Sequence, residues 1–350
     1  MTNDSALRRT LVLGGLGALW IGLCIWSAAS GAVPIPSTSV LAIALESIGL
    51  PGVWEVDDGH RAVVMSLRLP RIALASFVGA ALALGGAVMQ GLFRNPLASP
   101  GLVGVSTGAA LFAALFIVLG TSAGWLYTVG LPGSAFIGAT LVCVLVFQLA
   151  TVDGVTSVTT MLLAGIAINA LSSALTGILV FVADDAAIRN LTFWSLGSLG
   201  GATWDGLQIL SFTTALPAIA CLFLAGPLNA LLLGEAEAGH LGVNVEQLKR
   251  FAVLLVALMV GSSVATTGVI GFVGLVVPHV CRLALGPDHR TLLPASLLAG
   301  PALLVGADVL SRTIVAPAEL PIGIVTTVLG SPFFLWLLLR SRGGAGGLGE

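Results

Sequence analysis

The stretch 71–92, RIALASFVGAALALGGAVMQGL, carries one charge, at its first residue, and none after it. As a helix, a run of about 20 apolar residues is long enough to cross the hydrocarbon core of a bilayer. In hydrocarbon the backbone must satisfy its own hydrogen bonds, which a continuous apolar segment does as a helix. Comparable segments recur at 11–33, 103–120, 126–150, 159–182, 206–226, 251–268, 271–286, 291–311 and 321–340. The chain is therefore expected to be an all-α integral membrane protein of about ten transmembrane helices, forming one domain over residues 1–350. A soluble enzyme is excluded by composition. Only 9% of residues are charged, against roughly 25% in soluble domains, and a soluble fold would expose very large apolar patches. The 45 glycines are spread through the apolar segments, which suits close helix packing in lipid.

Arg8-Arg9 and the apolar run after them have the outline of a secretion signal. The run is longer than such a signal needs and many spans follow, so it reads as a retained first helix. Ten spans place both termini on one side, and the basic residues choose the cytoplasm. Arg8, Arg9, Arg94, Lys249, Arg250, Arg282, Arg290, Arg340 and Arg342 then lie inside, and Arg61, Arg68, Arg71, Arg189 and Arg312 outside. The five outer arginines oppose the trend, so each is expected to have a specific role.

The net charge of -2 implies no nucleic-acid partner. Cys24, Cys143, Cys221 and Cys281 are scattered without metal or redox spacing and read as packing residues. No metal site and no catalytic set is evident. The sole lysine, Lys249, follows Leu248, so the chain has no Walker A motif and cannot hydrolyse ATP itself. Asp308 is the best candidate for an intramembrane proton relay. The scarcity of other acids in the spans argues against an ion-coupled secondary transporter.

Three polar segments stand out. FRNPLASPG, 93–101, separates two spans with two prolines, which disfavour helix at and before their positions. It is either a plain connector or a constriction at the inner mouth of a pathway, with Asn95 placed to satisfy carbonyls at the end of the preceding span. RNLTFWSLGSLGG, 189–201, is too polar to cross and reads as a short external helix. There Phe193 and Trp194 either anchor at the interface or face a cavity with Arg189, which otherwise pairs with Asp184 or Asp185. The loop 226–250 reads as two short surface helices split by glycine, with the Leu-rich face of a docking surface for a cytoplasmic partner. GLVGV at 101–105 matches GFVGL at 271–275. These open spans three and eight, and an offset of five crossings reverses direction, so the repeat is expected to be inverted, as in many transporters.

The segments 68–109, 233–250, 268–283 and 307–340 together resemble the FecCD family, the permease subunits of ABC importers for iron siderophores, heme and vitamin B12. The resemblance implies a type II ABC importer permease fold working as a dimer, most simply of two copies. Two cytoplasmic ATPase subunits would carry the ATP and Mg, and a periplasmic binding protein would deliver cargo. The site would be the bacterial inner membrane. It implies a cytoplasmic gate at Asn95 and Leu97. It places ATPase coupling within 228–246, at Leu233, Gly234, Glu235, Ala236, Ala238, His240, Leu241 and Gly242. Arg68, Arg71 and Arg312 match positions that dock the binding protein. The segment 189–204 looks most like the heme branch, making heme the expected cargo and Arg189, Phe193 and Trp194 the expected pathway contacts. Ferric siderophores or cobalamin are the alternatives. No cofactor is expected in this subunit.

Overall fold

The computed structural model describes residues 3–31, 35–47, 49, 56–120 and 124–345. In chain order the helices are α1 (Asn3–Ala29), α2 (Ser37–Ser47), α3 (Asp58–Val63), α4 (Leu69–Leu92), α5 (Val105–Leu119), α6 (Gly124–Leu149) and α7 (Val158–Val182). Then follow α8 (Asp185–Ser195), α9 (Trp204–Phe223), α10 (Ala225–Leu231), α11 (Glu235–His240), α12 (Val245–Thr267), α13 (Val273–Leu285), α14 (His289–Thr313) and α15 (Ile322–Ala345). A π-helical turn (Val64–Arg68) leads into α4, and a 3-10 turn (Pro100–Val103) precedes α5. The short strands β1 (Thr151–Val152) and β2 (Val155–Thr156) pair as an antiparallel hairpin between α6 and α7.

Each of the ten apolar runs is a helix. Seven are long and apolar enough to span a bilayer, while α5, α13 and the apolar part of α15 are shorter. The chain is a multi-pass membrane protein. The start of α1 lies beside Ala284 and Asp288, at the side called the proximal end; its other end lies beside Arg68 and Arg312, at the distal end. Several boundaries differ from the apolar runs. α12 begins six residues before 251 because Asn244 caps it, its side chain accepting from the Gln247 N–H at 3.0 Å. The short helix expected at 189–201 lies at 185–195, since Asp184 caps it through the Ala187 N–H and Gly197, with φ of 73°, turns the chain out of it. The hydropathy pattern does not predict α2, α3 or the β hairpin.

α4 is the axis. From Val78 to Leu92 only Ala80 is not buried, and its neighbours are α14, α13, α12, α9 and α1. A helix apolar all round is a core helix, and small side chains let its neighbours come close. A side chain at Gly79 would sit 2.5 Å from the Gly300 carbonyl oxygen of α14. One at Gly86 would overlap the Gly274 carbonyl of α13.

The inverted repeat is visible in the packing. α4 packs on α14, α13, α12 and α9; α12, its counterpart, packs on α6, α5, α4 and α9. Leu102 and Phe272 stand at matching places in the two breaks. Each is met by a glycine on the last helix of its half, Gly165 of α7 against Leu102 and Gly330 of α15 against Phe272. The two breaks also approach each other, because the Pro100 ring lies 3.6 Å from a side chain built at either Gly85 or Gly274.

Gly86→Ala is expected to lower the unfolding temperature of the purified protein sharply, since overpacking forces backbone shifts costing roughly 1–3 kcal/mol or more. Gly15→Ala, where a side chain would meet nothing within 4 Å, is the control and should leave it unchanged. Thermal unfolding in detergent measures both.

Candidate functional site

The turn after α4 is built by its own polar atoms. The Asn95 N–H donates to the Gln90 carbonyl at 3.1 Å, and the Asn95 side-chain oxygen accepts the Leu97 N–H at 2.9 Å. Asn95 thus satisfies a carbonyl at the end of α4, through its backbone N–H, while its side chain shapes the turn. Leu97 is left 55% exposed at the proximal end, while Ala98 beside it is fully buried. Asn169 of α7 braces the 3-10 turn that follows. Its amide donates to the Gly101 carbonyl at 3.0 Å and its oxygen accepts from the Thr107 hydroxyl. Non-helical backbone at this depth requires such partners.

Also at the proximal end, α10 and α11 form a two-helix projection parted at Gly234, whose φ of 120° favours glycine. Leu233, Ala236, His240, Leu241 and Gly242 are exposed; Gly234 and Glu235 are half-buried. Ala238 is fully buried, which corrects its expected place on an exposed docking face: it seats α11 on the bundle.

Two networks that sequence reasoning missed tie this projection to the rest. The Lys249 ammonium, with no exposed side-chain surface, donates to Glu235 of α11 at 2.8 Å, Glu246 at 3.0 Å and the Thr156 carbonyl at 2.6 Å. The Thr156 N–H in turn donates to Glu246 at 2.9 Å. One lysine thus joins α11, α12 and the β hairpin. On the other side, Asp288 accepts from Asn229 of α10 at 2.6 Å and from Arg9 of α1 at 3.0 Å. The Asn229 oxygen accepts the His289 N–H at 2.8 Å, and the His289 ring fills the space beside Gly91 at the end of α4. Neither network follows a local motif; their partners are separated in sequence by up to hundreds of residues. The one signal was a lone lysine in a chain otherwise using arginine.

At the distal end, Arg68, Arg71 and Arg312 turn inward. Arg68 and Arg312 are 6% and 9% exposed. Asp308, fully enclosed, accepts from Arg71 at 2.9 Å and Arg312 at 3.0 Å. Arg71 also pairs with Glu319 at 2.9 Å. Arg68 donates to the Ala28 carbonyl at 2.5 Å, and Arg312 to Ser30 and Ser27. These arginines stitch the end of α1 to α4, α14 and the loop before α15, and Asp308 is a counter-ion held by two guanidiniums. Arg71 and Glu319 also line a cavity of about 170 Å³ together with Phe193 and Ser198.

α8 lies above this cluster. Its exit turn is bonded to two helices of the second half, α12 and α15: the Ser198 N–H donates to the Thr267 carbonyl at 2.7 Å, and the Gly323 N–H to the Leu196 carbonyl at 3.0 Å. Arg189 is exposed, as is Phe193; Trp194 is half-buried against the core. No ion pair joins Arg189 to Asp184 or Asp185. Among the described residues no group of three His, Cys, Asp or Glu side chains converges.

The profile of the FecCD transport family matches residues 19–340, almost the whole bundle from α1 to α15. The chain belongs to the FecCD transport family. It is 45% identical over 346 residues to the hemin transport system permease protein HmuU of Yersinia pestis, covering 97% of this chain and 98% of that one. It is 44% identical over 296 residues to the vitamin B12 import system permease protein BtuC of Klebsiella pneumoniae, covering 84% and 87%. The structure of a metal-chelate type ABC transporter in an inward-facing conformation superposes with a TM-score of 0.80 at 31% identity, over 95% of this chain and 99% of that one. The FecCD chain therefore has the type II ABC importer permease fold.

Breaking the distal cluster tests whether it is structural. Asp308→Ala leaves two guanidiniums without their shared carboxylate and should cost about 3–5 kcal/mol, as loss of one partner of a buried pair does. Glu319→Ala, at a half-exposed pair, should cost about 0–1 kcal/mol. Unfolding in denaturant gives both values. The Asp288 lock should show in pH dependence. Burial alone would raise its pKa, but the Asn229 amide, the Arg290 N–H and the Arg9 and Arg290 charges hold it below the usual carboxylate value. A lowered folded-state pKa adds stability above the unfolded-state value that is lost as pH falls through the folded one. Acid should therefore loosen α10 below the ordinary carboxylate range, and Asp288→Asn should remove that step, as read by hydrogen exchange of residues 225–240.

Proposed function

We propose that this chain is the non-catalytic permease subunit of an ATP-driven importer that carries heme across the bacterial inner membrane. The observation that carries the cargo assignment is the end-to-end likeness to a hemin permease. The chemistry of α8 supports it. Arg189 and Phe193 are exposed one helical turn apart, and heme pairs an apolar ring with two carboxylates, which guanidinium forks bind with fixed geometry. The proximal end, with the greater share of basic residues, is cytoplasmic, and α8 is periplasmic.

The working unit is a dimer of permeases on two ATPase subunits, which bind the ATP and Mg, with a periplasmic binding protein docking at the distal face. α7 supports a close second copy. It exposes Ala167, Ala170, Ala174 and Gly177 in one stripe, and small residues let membrane helices approach. Two Leu97 side chains then narrow one axis at the cytoplasmic mouth. The ATPase seats on Leu233, Ala236, His240 and Leu241. Its motion reaches the β hairpin through Lys249 and the end of α4 through Asn229 and His289. The docking role of Arg68, Arg71 and Arg312 is confined to what Arg71 can offer by exchanging Glu319 for a partner carboxylate, since Arg68 and Arg312 are buried. Ferric siderophores and cobalamin are the second reading of the cargo, favoured by the likeness to BtuC. An ion-coupled carrier is disfavoured, because Asp308 is clamped by Arg71 and Arg312.

Substrate-stimulated ATP hydrolysis in liposomes, with the cognate ATPase and binding protein, tests the proposal. Heme should stimulate it and drive uptake, whereas ferric siderophores and cobalamin should not; stimulation by cobalamin alone would replace the cargo. Arg189→Ala is expected to slow heme uptake while leaving basal hydrolysis near normal, and Arg189→Lys to restore it only in part. Equal uptake by Arg189→Ala and the parent would remove Arg189 from the pathway.

A further inference from the structure

A cavity of about 560 Å³ lies between α1, α4, α9 and α14, lined by none of the gate, coupling or charge-cluster residues. It exists because the wall residues are small. Ala73, Ser76 and Ala80 of α4 and Ala215 of α9 contribute to the lining, and Trp20 and Trp204 are among its larger residues. α1 packs mainly on α14, and α9 mainly on α12 and α4, so neither fills the space between them.

The cavity asks for nothing polar. The Trp20 indole N–H donates to the Ser76 hydroxyl at 3.0 Å, and Ser76 donates to the Ile72 carbonyl at 2.8 Å. Trp204 donates to the Met65 carbonyl at 2.9 Å, and Thr214 to the Leu210 carbonyl at 2.6 Å. A site whose polar groups are already satisfied does not hold water, which needs two to four polar partners.

Its depth is that of one leaflet. The lining runs along α4 from Leu69, the first residue at the distal end, to Ala81. Twelve steps of a helix rise about 18 Å, close to the roughly 15 Å that is half of a hydrocarbon core. On α9 it starts at Trp204, the first residue at the same end, and reaches Ile219. Trp204 thus stands where indoles mark the membrane interface. The flanking helices turn apolar surface outward: Phe212, Leu216 and Ile219 on α9, Leu19, Ile21 and Ile25 on α1.

We propose that this cavity is a binding site for one acyl chain of a phospholipid in the distal leaflet, seated against α4 between α1 and α9. Lipid tails are as apolar as leucine, so transfer from water supplies no drive here. The drive is filling: an empty slot forfeits the dispersion contacts of all its lining atoms. The chain would act as a removable part of the packing that fastens α1 and α9 to the axis. The proposal is independent of the cargo and of the partner subunits.

The experiment uses the full-length permease in liposomes containing a phosphatidylethanolamine with a diazirine midway along one acyl chain. After irradiation, labelled residues are mapped by mass spectrometry. Label should concentrate on residues 73–80 and on Thr214, Ala215 and Ala218 rather than on the outward face at Phe212, Leu216 and Phe223. Ala80→Leu combined with Ala215→Phe, which fills the slot from its own walls, should abolish that enrichment and leave the outward label unchanged. Label spread evenly over the exposed faces of α1 and α9, or enrichment that persists in the filled variant, would overturn the proposal. So would enrichment that appears in liposomes but not in native membranes, because a protein would then occupy the slot. If the filled variant does not fold, the distribution on the parent protein decides.

Discussion

At Gly79 and Gly86 the backbone of α4 lies directly against the backbones of α14 and α13, with no side chain between. In lipid, helices gain little from hiding apolar surface, because the surrounding chains are as apolar as the helices. Association rests on close contact and on the few polar groups that reach across. α4 provides the close contact. Its neighbours on nearly every side fix where the two breaks in the helical ladder fall, and those breaks bring the Pro100 turn and the entry to α13 together in the middle of the bundle. A bulkier residue at Gly86 would push them apart, and with them the Asn95 turn at the foot of α4.

Polar contacts do the remaining work at the two ends of the bundle. At the distal end Asp308 holds two arginines, and those arginines hold the end of α1. At the proximal end Lys249 and Asp288 hold α11 and α10 from opposite sides. The projection built by α10 and α11 is therefore anchored at two points that lead to different parts of the bundle, one to the β hairpin and one to the end of α4. A push on the exposed Leu233 and Leu241 has two rigid routes into the bundle. Within the spans, Arg71 and Asp308 are paired with each other and with Glu319 and Arg312.

Much of the fold was legible in the sequence because a bilayer imposes simple rules. Ten apolar runs became ten helices, since no other element satisfies its backbone in hydrocarbon. The match between GLVGV and GFVGL pointed to an inverted repeat, and the exchange of neighbours between α4 and α12 follows it. The loop 226–250 folds as two short helices parted at Gly234, because glycine at positive φ interrupts the run. The bounds of α8 and α12 were less legible, because caps at Asp184 and Asn244 rather than hydropathy set them.

What the sequence alone determined is the class of solvent, the ten apolar helices and the positions of the breaks, all of which depend on local composition. It also supplied the five arginines of the distal side that oppose the trend of basic residues. Only the tertiary structure decided where they point. Arg68 and Arg312 are turned inward, because the carbonyls and hydroxyls at the end of α1 and the carboxylate of Asp308 lie within reach. Arg189 stands free of Asp184 and Asp185 because Asp184 is used as a helix cap. Ala238 is buried, and Lys249 has three partners from three elements. Such outcomes depend on distances between residues far apart in the chain, and no local pattern carries that information.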